Sequence, residues 1–154
     1  MITATCMGRL GYLGNQLFQY GLVRAVAAKL RTEPAIPDRL DENTWRRTKG
    51  WVELGPFAGS MIRRHTPTYE SLRVYKEKHF HYDPAVFEQP DGTDFHGYFQ
   101  SWRYLVDLPR ETFAFLPEWA KKIQVVTDQL RAEAQSRGFN RLVSVHIRRG
   151  DYLK

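Results

Sequence analysis

The sequence predicts an α/β protein with helices packed outside a parallel sheet, and two observations carry that expectation. A short β-branched and apolar stretch, Ile2 to Met7, runs into a loop with glycines at 8, 11 and 14 and then into an amphipathic segment. Near the other end, an amphipathic segment from Pro117 leads directly into the alternating run Val143 to Ile147. A strand followed by a loop and helix, and a helix feeding a strand, are the units from which parallel sheets are wound.

In the opening unit the glycines stand three apart, which is neither the dinucleotide fingerprint nor a Walker loop. Generic nucleotide motifs are therefore excluded. Asn15 is placed as the N-cap of the following helix, its side-chain oxygen accepting from the backbone two or three residues on. Phe18, Leu22, Val26 and Leu30 recur every fourth position and mark one apolar face, with Phe18 expected in the core. Gly14 and Asn15 sit at the mouth of the loop, where a helix N-terminus favours anions and glycine lets a ligand approach the backbone.

Prolines at 34, 37, 56, 67, 84 and 90 cut the middle of the chain into short pieces. Arg46 to Leu54 and Leu72 to Phe80 read as strands or strand edges. The stretch from Tyr69 to Phe99 is rich in aromatics, and core packing is the leading role for each of Tyr75, Phe80, Tyr82 and Phe87. His79 and His81 could face one side of a strand, but no third ligand follows at convincing spacing, so a metal site is not expected. Gly97 to Leu105 reads as a strand turning into a short helix. Gln100 or Ser101 then falls near the carboxyl edge of a sheet, where ligands of parallel sheets bind, although Ser101 serves equally well as a helix cap.

From Pro117 the signals for a helix are complete: proline in the first turn, Trp119, Ile123, Val126, Leu130 and Ala134 on one face, and Gly138 just beyond. The run after it alternates Val143, Val145 and Ile147 with Ser144 and His146, then ends on Arg148-Arg149-Gly150-Asp151. Two adjacent guanidinium groups at a strand end supply fixed positive charge and planar donor forks that match phosphate oxygens. Both can reach one ligand only if the strand stops beside them, and Gly150 permits that turn. A solvated strand edge is the bland alternative. The Arg149-Gly150-Asp151 tripeptide is too common to signal adhesion.

With 154 residues and 42% hydrophobic content, the chain is globular and not disordered. Its formal charge of +6 suits a phosphate-bearing small molecule, nucleic acid or an anionic surface, but the basic residues are scattered and no nucleic-acid motif occurs. The single cysteine, Cys6, has no intramolecular partner, and no N-x-[ST] sequon occurs. No signal peptide and no apolar run long enough for a membrane span is present, which gives a cytoplasmic expectation with at most peripheral membrane association.

Three ordered segments resemble the α-1,2-fucosyltransferases of glycosyltransferase family 11: Gly11-Tyr-Leu-Gly-Asn-Gln-Leu-Phe-Gln-Tyr-Gly21, Gly97-Tyr-Phe-Gln-Ser101 and His146-Ile-Arg-Arg-Gly-Asp-Tyr152. More distantly, the G-x-x-G-N-Q and H-x-R-R-x-D elements are similar to those of protein O-fucosyltransferases and α-1,6-fucosyltransferases. Two positions depart from the family pattern. Tyr12 replaces a glycine, where it either reshapes the fucose pocket or points to solvent. Gly21 replaces an alanine and weakens the helix by about 1 kcal/mol.

The resemblance implies a GT-B glycosyltransferase. Residues 1–138 would form its amino-terminal, Rossmann-like α/β domain on the acceptor side, and residues 139–154 the first strand of the GDP-fucose-binding domain. Most of that second domain would lie beyond Lys154, so the 154 residues alone are expected to bind GDP-fucose weakly and transfer poorly. The implied reaction is inverting, metal-independent and without a cofactor: L-fucose passes from GDP-β-L-fucose to the 2-hydroxyl of a galactoside-containing oligosaccharide. Arg148 and Arg149 would stabilise the departing diphosphate, and Asn15 would join them as a catalytic residue. Gly11, Gly14, Gln16, Gln100, Ser101, His146 and Asp151 would bind or orient the substrates. The rival readings are a non-catalytic nucleotide-sugar or glycan-binding fragment and a nucleic-acid binder.

Overall fold

The computed structural model describes residues 1–37, 52–57 and 72–145. The chain divides into two compact units, Met1–Leu116 and Pro117–Lys154.

The first unit is built on a four-stranded sheet. Its elements are β1 (Ile2–Thr3), α1 (Leu13–Leu30), β2 (Pro34–Ala35), β3 (Arg73–Lys76) and β4 (Thr93–His96). The strand order is β2-β1-β4-β3 and every pairing is parallel. Thr3 stands beside Ala35 on one side and Asp94 on the other, while β3 and β4 run in register from Arg73 beside Thr93 to Lys76 beside His96. The chain thus leaves β1 toward β2 and lays β4 and β3 on the opposite side. Such a reversal opens a crevice at the carboxyl ends of the two central strands.

β1 is shorter than the stretch Ile2 to Met7 suggests, because the backbone coils immediately after it. Met7 donates to the Ala4 carbonyl at 3.0 Å and Arg9 to the Cys6 carbonyl at 3.0 Å. The helix α1 then starts three residues earlier than the capping pattern implies. Tyr12 is its N-cap residue, with no side-chain cap hydrogen bond, and Asn15 lies inside the first turn. Cap preference is a local signal. Here the loop geometry, with Gly8 and Gly11 both at positive φ, fixes the entry point instead.

The buried face of α1 also differs from the four-residue repeat. Leu22 and Val26 are buried, but Phe18 and Leu30 are only half-buried, and Tyr20, Val23 and Ala27 complete the core face together with Gln16 and Gln19. The helix contacts β1 and β2 and also the 3₁₀ turns Pro84–Glu88 and Trp102–Tyr104, so its buried arc is wide. Gly21 has a structural reason within that arc. A Cβ there would stand 2.4 Å from Leu105 Cδ2 and 3.0 Å from Phe113 Cζ. Arg31, at φ 52, closes the helix with its N–H on the carbonyls of Ala27 and Ala28.

Aromatic packing ties β4 to the segment after it. Phe99 meets Phe95 edge-on at 5.7 Å between centroids and Tyr104 at 6.1 Å. Tyr75, Tyr82 and Phe87 pack partly buried against this core. Phe80 does not, contrary to the sequence expectation. It is 70% exposed, since β3 ends at Lys76 and the chain bends away before reaching it.

Of the strand expected over Leu72 to Phe80, Arg73–Lys76 forms β3. Residues 52–54 form no strand, and the rest of the Arg46 to Leu54 expectation lies outside the described residues. The strand expected from Gly97 ends before it, as β4 at His96, and the short helix that follows is the 3₁₀ turn Trp102–Tyr104.

In the second unit, α2 (Pro117–Ser136) runs as the proline and apolar spacing predict. Gly138, at φ 81, ends it, and Phe139 donates back to the Ala134 carbonyl at 2.9 Å. Trp119, Ile123, Val126 and Leu130 on this helix are exposed. The described part of the expected final strand, residues 143–145, has no regular structure, and Val143 is 84% exposed. A strand needs a neighbour to take its ladder hydrogen bonds, and among the described residues none pairs with this segment. Among the described residues no helix is long and apolar enough to cross a membrane.

Candidate functional site at the carboxyl edge of the sheet

The two amino-terminal motifs converge on this edge. The side-chain amide of Gln100 donates to Asn15 Oδ1, bridging the turn after β4 to the first turn of α1. Gly11 makes the loop possible in two ways. Its φ is +82, and a Cβ there would lie 2.0 Å from Asn15 Nδ2. Gly14 is exposed with open space around it. Gln16 is buried, and its amide spans two segments: Nε2 donates to the Gly11 carbonyl at 3.4 Å and Oε1 accepts from the Glu53 amide at 2.7 Å.

Ser101 occupies the N-cap position of the 3₁₀ turn without a side-chain cap bond. Tyr12 is 78% exposed, so its ring points to solvent and does not fill the loop. His146, Arg148, Arg149 and Asp151 lie outside the described residues.

The sequence did not single out a second polar group beside these. Asp94 and His96 lie two apart on β4 and therefore share a face. Asp94 is 3% exposed. Its Oδ1 accepts the Thr5 amide at 2.8 Å, and its Oδ2 accepts the Thr5 hydroxyl at 2.5 Å and contacts His96 Nε2 at 2.9 Å. Thr5 Oγ1 also lies 3.0 Å from His96 Nε2. The D-x-H spacing was the one local signal for this group; the partnership with Thr5 spans 89 residues and leaves no local trace.

Glu77, at the end of β3, clamps the turn that presents Gln100. Its two carboxylate oxygens accept the amides of Tyr98 at 2.7 Å and Phe99 at 2.9 Å. That clamp holds Phe99 at φ 50, a left-handed conformation that disfavours a side chain. Gln19, fully buried, donates to the carbonyls of Gly97 at 2.8 Å and Leu10 at 3.1 Å, which locks the glycine loop to the same turn. Between these elements opens a cleft of about 460 Å³, lined among others by Thr5, Arg9, Lys76, Glu77 and His96.

Beneath this edge, Asp83 braces the fold. Its carboxyl is held below the usual carboxylate range, first by the Tyr75 hydroxyl at 2.7 Å and then by the Ala85 amide at 3.0 Å. Burial, and then the same carboxylate, push the Tyr75 hydroxyl up to about 12. His79 and His81 have ring centroids 5.6 Å apart. Among the described residues no three His, Cys, Asp or Glu side chains group to hold a metal ion.

The class this defines is a mixed α/β protein with a parallel sheet, compatible with a Rossmann-like fold, whose polar side chains gather where such sheets bind ligands. No protein-family model, curated protein or solved structure matches the chain.

Proposed function

We propose that the protein acts in fucosyl transfer, as the acceptor-side part of an inverting galactoside α-1,2-fucosyltransferase with GDP-β-L-fucose as donor. The observation that carries this reading is the hydrogen bond between Asn15 and Gln100. It joins the first two of the three motif segments at the carboxyl edge of a parallel sheet, although 85 residues separate them.

The chemistry suits the residues. Inverting transfer passes through an oxocarbenium-like centre while negative charge grows on the departing diphosphate, and stabilising that charge is the main task of the site. Arg148 and Arg149 are assigned that role, with His146 and Asp151 orienting them. Asn15 and Gln100 are assigned to the sugar hydroxyls, which take amide donors and acceptors well. Gly11 and Gly14 keep the loop low enough for a ligand to approach. The fold is read as the amino-terminal domain of a GT-B enzyme on the same resemblance.

Incubating the intact gene product with GDP-fucose and β-galactosides tests the reading. Fucosylated product with GDP release supports it. Release of GDP from GDP-mannose in preference, or no sugar transfer from any nucleotide sugar, overturns it.

A further inference from the structure

We propose that His96 takes the proton of the acceptor hydroxyl, an assignment that rests on the fucosyl-transfer reading and names a base for it. In the transfer, the acceptor oxygen bonds to C1 of fucose as the bond from C1 to the phosphate oxygen breaks. GDP leaves with the bonding pair. The acceptor's proton must pass to a base, and the cleft offers few.

Glu77 is committed, since each of its oxygens already accepts a backbone amide, from Tyr98 and Phe99. Asp94 is buried at 3% exposure with Thr5 and His96 around its carboxylate. The Cys6 thiol is turned onto the Phe95 carbonyl at 3.4 Å. His96 differs from all three. Its side chain is 36% exposed, it lines the cleft, and among the described residues its Nδ1 has no partner.

The hydrogen-bond arithmetic sets the tautomer. A carboxylate oxygen only accepts, so the 2.9 Å contact of Asp94 Oδ2 with His96 Nε2 has the imidazole donating, beside the Thr5 hydroxyl that donates to the same oxygen at 2.5 Å. Nε2–H then points at Asp94, with the Thr5 oxygen 3.0 Å away as a second acceptor. The lone pair is left on Nδ1. When Nδ1 takes a proton, the imidazolium forms against a carboxylate already in place, as it does in hydrolase triads. Asp94 and Thr5 are positioning residues in this scheme. The other charged groups facing the ring are Arg9 from the loop after β1, and Lys76 and Glu77 from β3.

The test uses the intact gene product with GDP-fucose and a β-galactoside. His96→Asn is expected to lower kcat by roughly 100-fold, in line with the loss of a general base, while KM for the acceptor changes by less than about threefold. The acid limb of the kcat pH profile should disappear in the variant, and added imidazole should restore turnover to His96→Ala. Nitrogen NMR of the unmutated protein supplies a check that needs no variant: the neutral ring should carry its proton on Nε2, and the Nδ1 resonance should move when the galactoside is added. A proton on Nδ1, or turnover in His96→Asn within twofold of the parent with the same pH profile, overturns the base assignment alone. Absence of fucose transfer by the parent protein overturns the fucosyl reading, and the base with it.

Discussion

Removing the Glu77 carboxylate should unfasten the turn that carries Gln100 to Asn15. Each carboxylate oxygen takes one backbone amide, from Tyr98 at 2.7 Å and from Phe99 at 2.9 Å. A hydrogen bond to a charged group contributes about 1.5–3 kcal/mol, so the pair contributes about 3–6 kcal/mol. The glutamate is half-buried, and water can reach part of the space it vacates, which favours the lower end. Glu77→Ala is therefore expected to destabilise the protein by about 3 kcal/mol, a large share of a usual stability of about 5–15 kcal/mol. Glu77→Gln keeps one acceptor oxygen but turns an NH₂ toward the other amide, and should cost about half as much. The assay is urea unfolding with linear extrapolation, read from the shift in midpoint at constant slope. A loss below about 1 kcal/mol for Glu77→Ala would refute the claim that this clamp holds Phe99 in its left-handed conformation.

Four further outcomes are expected. Arg148→Ala with Arg149→Ala in the intact gene product should abolish fucose transfer while circular dichroism stays unchanged; near-normal turnover would remove both arginines from the mechanism. Asn15→Ala, because Asn15 is no cap and its bond to Gln100 is exposed, should cost under roughly 0.5 kcal/mol of stability yet lower transfer, and a double-mutant cycle with Gln100→Ala should show the two effects to be coupled. Tyr75→Phe should raise the Asp83 carboxyl toward its ordinary value. The lowered Asp83 contributes stability that is present above the ordinary carboxylate range and lost as pH falls through its folded value, so the variant should lose stability at higher pH during acid titration. On the alkaline side the sign reverses: with the Tyr75 hydroxyl pushed up to about 12, its contribution is complete below its unfolded value and is lost as pH rises through the folded one, measurable by phenolate absorbance.

Local patterns reached some elements of this fold and missed others for identifiable reasons. The strand, glycine loop and helix at the amino end were legible because Gly11 and the apolar repeat are local signals, and α2 was legible from Pro117 to Gly138 for the same reason. The start of α1 was misread because Asn15 has the chemistry of a cap, whereas Tyr12 takes that position through loop geometry. Gln16 and Gln19 were invisible as core residues. An apolar count scores them as surface, yet each donates its side-chain NH₂ to backbone carbonyls and so can be buried. β4 escaped for a similar reason, since Thr93 and Asp94 are polar but buried. Asn15 and Gln100 were singled out from sequence and do meet, but the Thr5, Asp94 and His96 group could not be assembled from positions so far apart. The alternation of residues 143–145 gave no strand, because period alone does not supply a neighbouring strand.

The most direct test of the central claim is to identify the product that the intact gene product makes from GDP-fucose and a β-galactoside, by NMR of the glycosidic linkage. The expected product carries α-L-fucose on the 2-hydroxyl of galactose, its formation reduced together by Asn15→Ala and Gln100→Ala. A different sugar, a different linkage, or product formed equally well by both variants would contradict it.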